Sequence, residues 1–251
     1  MLAIDFPRDR NIVITGFMGT GKTTIGRLLA ERLGRPFVDM DEQIEARFAK
    51  PIPRIFAEDG EAAFRVAEAQ LCHQLAQEQG VVLSTGGGAL VNPSNRHALA
   101  QRGVIICLTA TVDTILERIQ QADNRPLLPG DLEERRQRIR QLLHERRHAY
   151  AAIAHQVDTS GRTPAQVVDD LLLTLQAEAE APGMTRIPVR EPSGSYDICL
   201  GEGLLEQSGA LLARRGLRPG PVAVVSNPDI AGPLAPRLMA GLEAAGFEPV
   251  L

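Results

Sequence analysis

The chain has 251 residues, 44% of them hydrophobic, which exceeds one ordinary domain and excludes a disordered or fibrous protein. A formal net charge of -4 gives no overall attraction to nucleic acid or an anionic membrane, so anions must be held by local clusters and the expected partners are small molecules. Cys72, Cys107 and Cys199 form no C-x-x-C pair, and neither a secretion signal nor a run of about 18 apolar residues occurs, which together predict a soluble, cytoplasmic protein with reduced thiols.

The first element is a buried strand at Asn11–Thr15, NIVIT, followed by a Gly-rich turn. From Lys22 the period changes, with Ile25, Leu28, Leu29 and Leu33 on one face of a helix that stops at Gly34 and Pro36. Between strand and helix lies Gly16-Phe-Met-Gly19-Thr20-Gly21-Lys22-Thr23, which satisfies G-x-x-x-x-G-K-[ST]. Glycines let the backbone curl so that N–H groups point inward, and the helix N-terminus adds positive potential. Gly19, Thr20, Gly21, Lys22, Thr23 and Thr24 are therefore assigned to a nucleotide, with Lys22 reaching the β- and γ-phosphates and Thr23 binding Mg²⁺. Of the 27 basic residues only Lys22 and Lys50 are lysine, so one of two lysines falls in this motif. A chance GKT in a flexible turn is the competing reading.

A second strand, Phe37–Asp39, ends in Asp39-Met-Asp41. On alternating positions one carboxylate can hold a metal while the other faces an acceptor hydroxyl. The alternative is that Asp41 only caps a helix beginning at Glu42. Further along, Arg65 and Glu68 lie three apart on one helical face, where a carboxylate orients a guanidinium and makes it a carboxylate binder. Strand Val81–Ser84 runs directly into Gly86-Gly87-Gly88, a backbone without side chains at the sheet edge. Strands at Val104–Leu108 and Gln156–Asp158 follow, and their alternation with helices predicts a parallel sheet covered on both faces. Gln121–Glu133, with two prolines and three acidic residues, reads as a mobile loop. Helices are expected at Glu133–Ala154 and Thr163–Ala179, and Glu145-Arg146-Arg147 supplies either a second cationic pair for an anion or a solvated face.

Ala181-Pro-Gly-Met184 breaks the pattern and marks a boundary. Beyond it come a strand at Tyr196–Leu200, a helix near Leu204–Arg215, a strand at Pro221–Ser226, a helix ending at Gly246 and a last strand at Pro249–Leu251. A stretch of that size with a beginning but no visible end reads as a truncated α/β domain.

The combination GFMGTGKTTIGRLLAERL, FVDMD, IFAEDGEAAFR, LSTGGG, NRPLL, ERRHAY and RTPAQVV, in this order over about residues 10–176, resembles shikimate kinase. The resemblance implies a three-layer P-loop kinase fold with a parallel sheet, acting as a monomer that uses ATP and Mg²⁺ to phosphorylate the 3-hydroxyl of shikimate. Carried over by motif, Thr23 and Asp39 would hold the metal, and Asp41, Arg65, Gly86, Gly87, Gly88 and Arg146 would bind shikimate. Arg125 of NRPLL would close on the phosphates, and Arg118 and Arg162 would flank the adenine. Catalysis would fall to Lys22, Asp41 and Arg125. The segment from Ile187, SYDICLGEGLLEQSGALL with PVAVVSNPDIAGPL and GLEAAGF, resembles the start of a 3-dehydroquinate synthase and ends before that family's nucleotide and metal motifs. The expected domains are thus 1–180, a linker at 181–186, and 187–251. Kinases of nucleotides or gluconate share the phosphate loop, and a nucleotide-dependent switch would not be an enzyme. A compact carboxylate fits the Gly-rich turn and two arginines better than a base does.

Overall fold

The computed structural model describes residues 6–121, 131–180, 184–191, 194–214 and 216–251. It divides into two compact units, Met1–Glu180 and Ala181–Leu251.

The first unit is built on strands β1 (Asn11–Gly16), β2 (Phe37–Asp39), β3 (Val82–Ser84), β4 (Gly103–Thr109) and β5 (His155–Asp158). All pair in parallel, in the order β2-β3-β1-β4-β5. The central β1 is buried along its whole length, which is why NIVIT reads as a continuous apolar run and not as an alternating one. Its side chains still alternate between two cores: Ile12 and Ile14 pack with Ile25, Leu29 and Leu171, while Val13 packs on the other face with Met40, Ile44 and Leu71. The result is three layers, helix on sheet on helix.

The helices are α1 (Lys22–Leu33), α2 (Met40–Phe48), α3 (Ile52–Glu58), α4 (Gly60–Leu75), α5 (Pro93–Ala100), α6 (Val112–Gln121), α7 (Leu132–Ala151) and α8 (Pro164–Glu180). Helix α1 ends as predicted at Gly34, which adopts φ 62° and returns its N–H to Glu31 while Arg35 N–H reaches Ala30. At its other end Gly21 offers no side-chain cap, so the first-turn N–H groups stay available to an anion. Helix α2 begins at Met40, earlier than the sequence suggested. Asp39 is therefore the residue that caps it, accepting from Asp41 N–H at 3.0 Å, and the reading of Asp41 as the cap is corrected. The second lysine has a structural task, since Lys50 bridges Glu58 at 3.0 Å and Asp59 at 2.8 Å.

Strand order reverses at β1: β3 lies on one side of it, and the chain then crosses to β4 on the other. Such a reversal leaves a crevice beyond the carboxyl ends of the strands, where the Gly16–Lys22 loop and the turn after β3 emerge.

The second unit contains an antiparallel hairpin of β6 (Thr185–Glu191) and β7 (Gly194–Leu200), helix α9 (Ser208–Arg214), and strands β8 (Pro221–Ala223) and β9 (Glu248–Val250), which pair in parallel across α10 (Pro228–Ala244). Strand β6 was not predicted, because Pro188 interrupts its pattern; pairing with β7 along its length overrides that local signal. The strand expected at Pro221–Ser226 is shorter, and Val225 is 95% exposed. No helix among the described residues is long and apolar enough to cross a membrane.

Candidate active site

The phosphate loop is tied to itself around one carbonyl. Phe17 O accepts from Thr20 Oγ1 at 2.7 Å and from Lys22 Nζ at 3.1 Å. Thr20 is thus turned inward and buried, so its side chain braces the loop and only its backbone remains for a nucleotide. Gly19, Gly21, Lys22, Thr23 and Thr24 line a cleft of about 410 Å³ together with Asp41, Arg118 and Arg162. Both arginines are held in place: Arg118 donates to Gly19 O at 3.2 Å and to Thr159 Oγ1 at 2.9 Å, and Arg162 pairs with Asp170 at 2.7 Å. Thr159, which sequence reading missed, anchors Arg118 through its carbonyl as well, at 2.7 Å.

Thr23 Oγ1 donates to Asp39 Oδ2 at 2.7 Å, so a hydroxyl and a buried carboxylate meet beside the uncapped start of α1. Two hard oxygen donors suit a Mg²⁺ ion that draws its other ligands from water and phosphate. Among the described residues no group of three His, Cys, Asp or Glu is arranged to hold a metal ion.

The second half of the site surrounds the triple glycine after β3. A Cβ on Gly86 would lie 2.9 Å from Glu68 Oε1 and 3.0 Å from Asp41 Oδ1. One on Gly88 would lie 2.9 Å from the Arg65 guanidinium. At Gly86 and Gly88 a side chain would displace the Glu68, Asp41 or Arg65 side-chain ends from their places beside the turn, so the absence of a Cβ lets those groups stand close to the backbone. Arg65 donates to Glu68 Oε2 at 2.9 Å and to Glu61 Oε1 at 3.1 Å, and stacks 5.2 Å from the Phe64 ring. Glu68 is buried, and that burial pushes its carboxyl pKa up despite the opposing charge of Arg65. Its Oε1 has no hydrogen-bond partner within the described protein, so a polar atom is left facing the turn.

From α7, Arg146 donates to Gly87 O at 3.1 Å and lies 5.5 Å from the Phe17 ring, while Tyr150 donates to the same carbonyl at 2.6 Å. Arg147, expected as the second member of a cationic pair, is exposed and donates to His144 O instead. Successive helical residues point about 100° apart, so only one of the two faces the turn. Phe17, an unconstrained position of the loop motif, joins the two halves: its carbonyl holds Lys22 and its ring supports Arg146. Arg125 lies outside the described residues.

The family model for shikimate kinase matches residues 18–176. The shikimate kinase of Pelotomaculum thermopropionicum is 46% identical over 164 residues, covering 65% of this chain and 94% of that protein, and the one from Desulforudis audaxviator is 48% identical over 150 residues, covering 60% and 78%. Among solved structures, the shikimate kinase of Acinetobacter baumannii in complex with shikimate superimposes with a TM-score of 0.63 at 37% identity, covering 67% of this chain and 94% of that one. The Aquifex aeolicus shikimate kinase superimposes with a TM-score of 0.58 at 34% identity, covering 68% and 99%. A model running from the phosphate loop into α8, and relatives matched over most of their length, put this chain in the shikimate kinase family.

Proposed function

We propose that the first unit transfers the γ-phosphoryl group of ATP to the 3-hydroxyl of shikimate, giving shikimate 3-phosphate and ADP. The observation that carries this reading is the convergence of Asp41, Arg65 and Arg146 on the side-chain-free turn, with Asp41 also lining the cleft of the phosphate loop. Two guanidiniums suit the carboxylate of a compact acid, and Asp41 suits the hydroxyl to be phosphorylated.

In this mechanism the loop N–H groups and the start of α1 bind the phosphates, and Lys22 exchanges Phe17 O for oxygens of the transferring group, where negative charge builds. Asp41 orients the acceptor hydroxyl in line and accepts its proton as the O–P bond forms. Arg65 and Arg146 fix the other end of the acceptor, so most of the rate comes from positioning and neutralisation of charge. Arg125 is assigned to close over the phosphates, and Arg118 and Arg162 to flank the base. Mg²⁺ held by Thr23 and Asp39 would supply charge neutralisation to the nucleotide phosphates.

The test is ADP release with Mg²⁺-ATP and shikimate, gluconate or a nucleoside monophosphate. Release that requires shikimate supports the assignment. Release with another acceptor keeps the phosphate site and overturns the acceptor pocket, and no release with any of them points to a nucleotide-dependent switch.

Arg65→Ala is expected to act chiefly on the acceptor. Loss of a charge-assisted pair of about 1.5–3 kcal/mol raises KM for shikimate by roughly tenfold to a hundredfold, with kcat changed much less. An unaltered acceptor KM in steady-state kinetics would make Arg65 structural.

For the second unit we propose kinship with the beginning of 3-dehydroquinate synthase, supported by its glycine and apolar pattern and by the β8-α10-β9 arrangement. It is expected to have no synthase activity. Conversion of the synthase substrate by this chain, followed by product formation, would overturn that expectation.

A further inference from the structure

The Gly87 carbonyl takes two donors from a single helix, Tyr150 Oη at 2.6 Å and Arg146 Nη1 at 3.1 Å. The two residues are four apart on α7 and therefore share a face. They differ as donors. Arg146 is a cation with a second use, since the proposed function gives it the carboxylate of the acceptor. Tyr150 is 8% exposed and packed in the cluster that contains Phe17 and Cys107. Burial also pushes the phenol pKa up, so it remains a protonated donor wherever the enzyme is assayed near neutrality.

A carbonyl oxygen has two lone pairs and is satisfied by one donor, but a half-buried carbonyl such as that of Gly87 still bears a desolvation cost if it loses its last donor. If Arg146 were the sole partner of Gly87 O, turning to a substrate would strand that carbonyl, and the guanidinium would be held back. Tyr150 removes the penalty. Gly87 also packs beside the phosphate loop, where a Cβ would come 3.4 Å from Gly16 O and 3.4 Å from Met18 N, in ordinary van der Waals contact. We propose that Tyr150 is a positioning residue whose hydroxyl holds the Gly87 carbonyl, so that Arg146 can leave it and bind the carboxylate of the acceptor. The inference rests on the kinase reading above and adds to it a residue that touches neither substrate.

The test is a double-mutant cycle in shikimate-dependent ADP release, with wild type measured alongside. Tyr150→Phe is expected to raise the acceptor KM on the order of tenfold while leaving the ATP KM within about twofold. In an Arg146→Ala background the same change should cost less than about twofold, because there is no arginine left to release. A tenfold rise that persists without Arg146, or an equal rise in both KM values, assigns Tyr150 to general packing and overturns the proposal. If wild type itself gives no shikimate-dependent release, it is the kinase reading that fails. A crystal structure of the wild-type chain with shikimate needs no variant to fold. It should show Tyr150 Oη still on Gly87 O and Arg146 moved to the carboxylate, whereas Arg146 remaining on Gly87 O and away from the ligand would overturn the proposal.

Discussion

Replacement of Lys22 by Met is expected to lower kcat by about 10²- to 10³-fold or more, the loss associated with removing one preorganised donor from developing charge. The side chain keeps its length and much of its packing, so the loss should come from chemistry and not from folding. Lys22 is nearly buried and donates to Phe17 O, a bond that also involves the brace from Thr20. Because Thr20 remains on that carbonyl, loss of the Lys22 bond to it forfeits one of two donors and is expected to cost about 1 kcal/mol of stability, a shift of a few degrees in Tm. Thermal unfolding monitored beside turnover separates the two effects. An unchanged kcat would remove Lys22 from the mechanism and with it the reading of the loop as a phosphoryl-transfer site.

The second large effect is expected from Asp41→Asn. Asparagine preserves the shape beside Gly86, where Asp41 Oδ1 already stands 3.0 Å from a would-be Cβ, and it preserves a hydrogen-bonding oxygen. It cannot take a proton. Turnover should therefore fall by about 10²- to 10⁴-fold, the usual contribution of a positioned general base, while ATP affinity measured by titration stays within about twofold. Asp39 makes the contrast sharp. That neighbouring carboxylate caps α2 and accepts from Thr23 Oγ1, so its loss would disturb both the helix start and the nucleotide side. If Asp41→Asn retained most of its kcat, the carboxylate would serve orientation alone, and the acceptor hydroxyl would lose its proton to solvent or to the phosphoryl group.

The two halves of the site were legible to different degrees. The phosphate half lies in eight consecutive residues, and strand, loop and helix follow each other without a break, so sequence order is also spatial order. The proposed acceptor half is spread over α4, the turn after β3 and α7, and the residue types could be named one by one while their distances could not. Arg146 and Arg147 illustrate the limit. They are adjacent and chemically alike, but the phase of α7 directs the first to Gly87 O and leaves the second on His144 O at the surface. Phe17 and Thr159 carry no chemistry of their own that a motif would flag. Their carbonyls become important only where Lys22 and Arg118 reach them.

The sequence by itself determined the alternation of strands and helices, the nucleotide site and the family, because periodicity and a contiguous motif are local properties written into neighbouring residues. It also suggests a boundary near Ala181, where a Pro-Gly pair interrupts helical spacing. The tertiary structure alone decided that β1 is central, that Asp39 and not Asp41 caps α2, and that one of two neighbouring arginines reaches the triple-glycine turn. It also decided which neighbours the three glycines face: Glu68 with Asp41, the phosphate loop, and Arg65. Those outcomes depend on contacts between residues distant in the chain, whose energies are set by packing and burial, and no local pattern encodes a distance across a sheet edge.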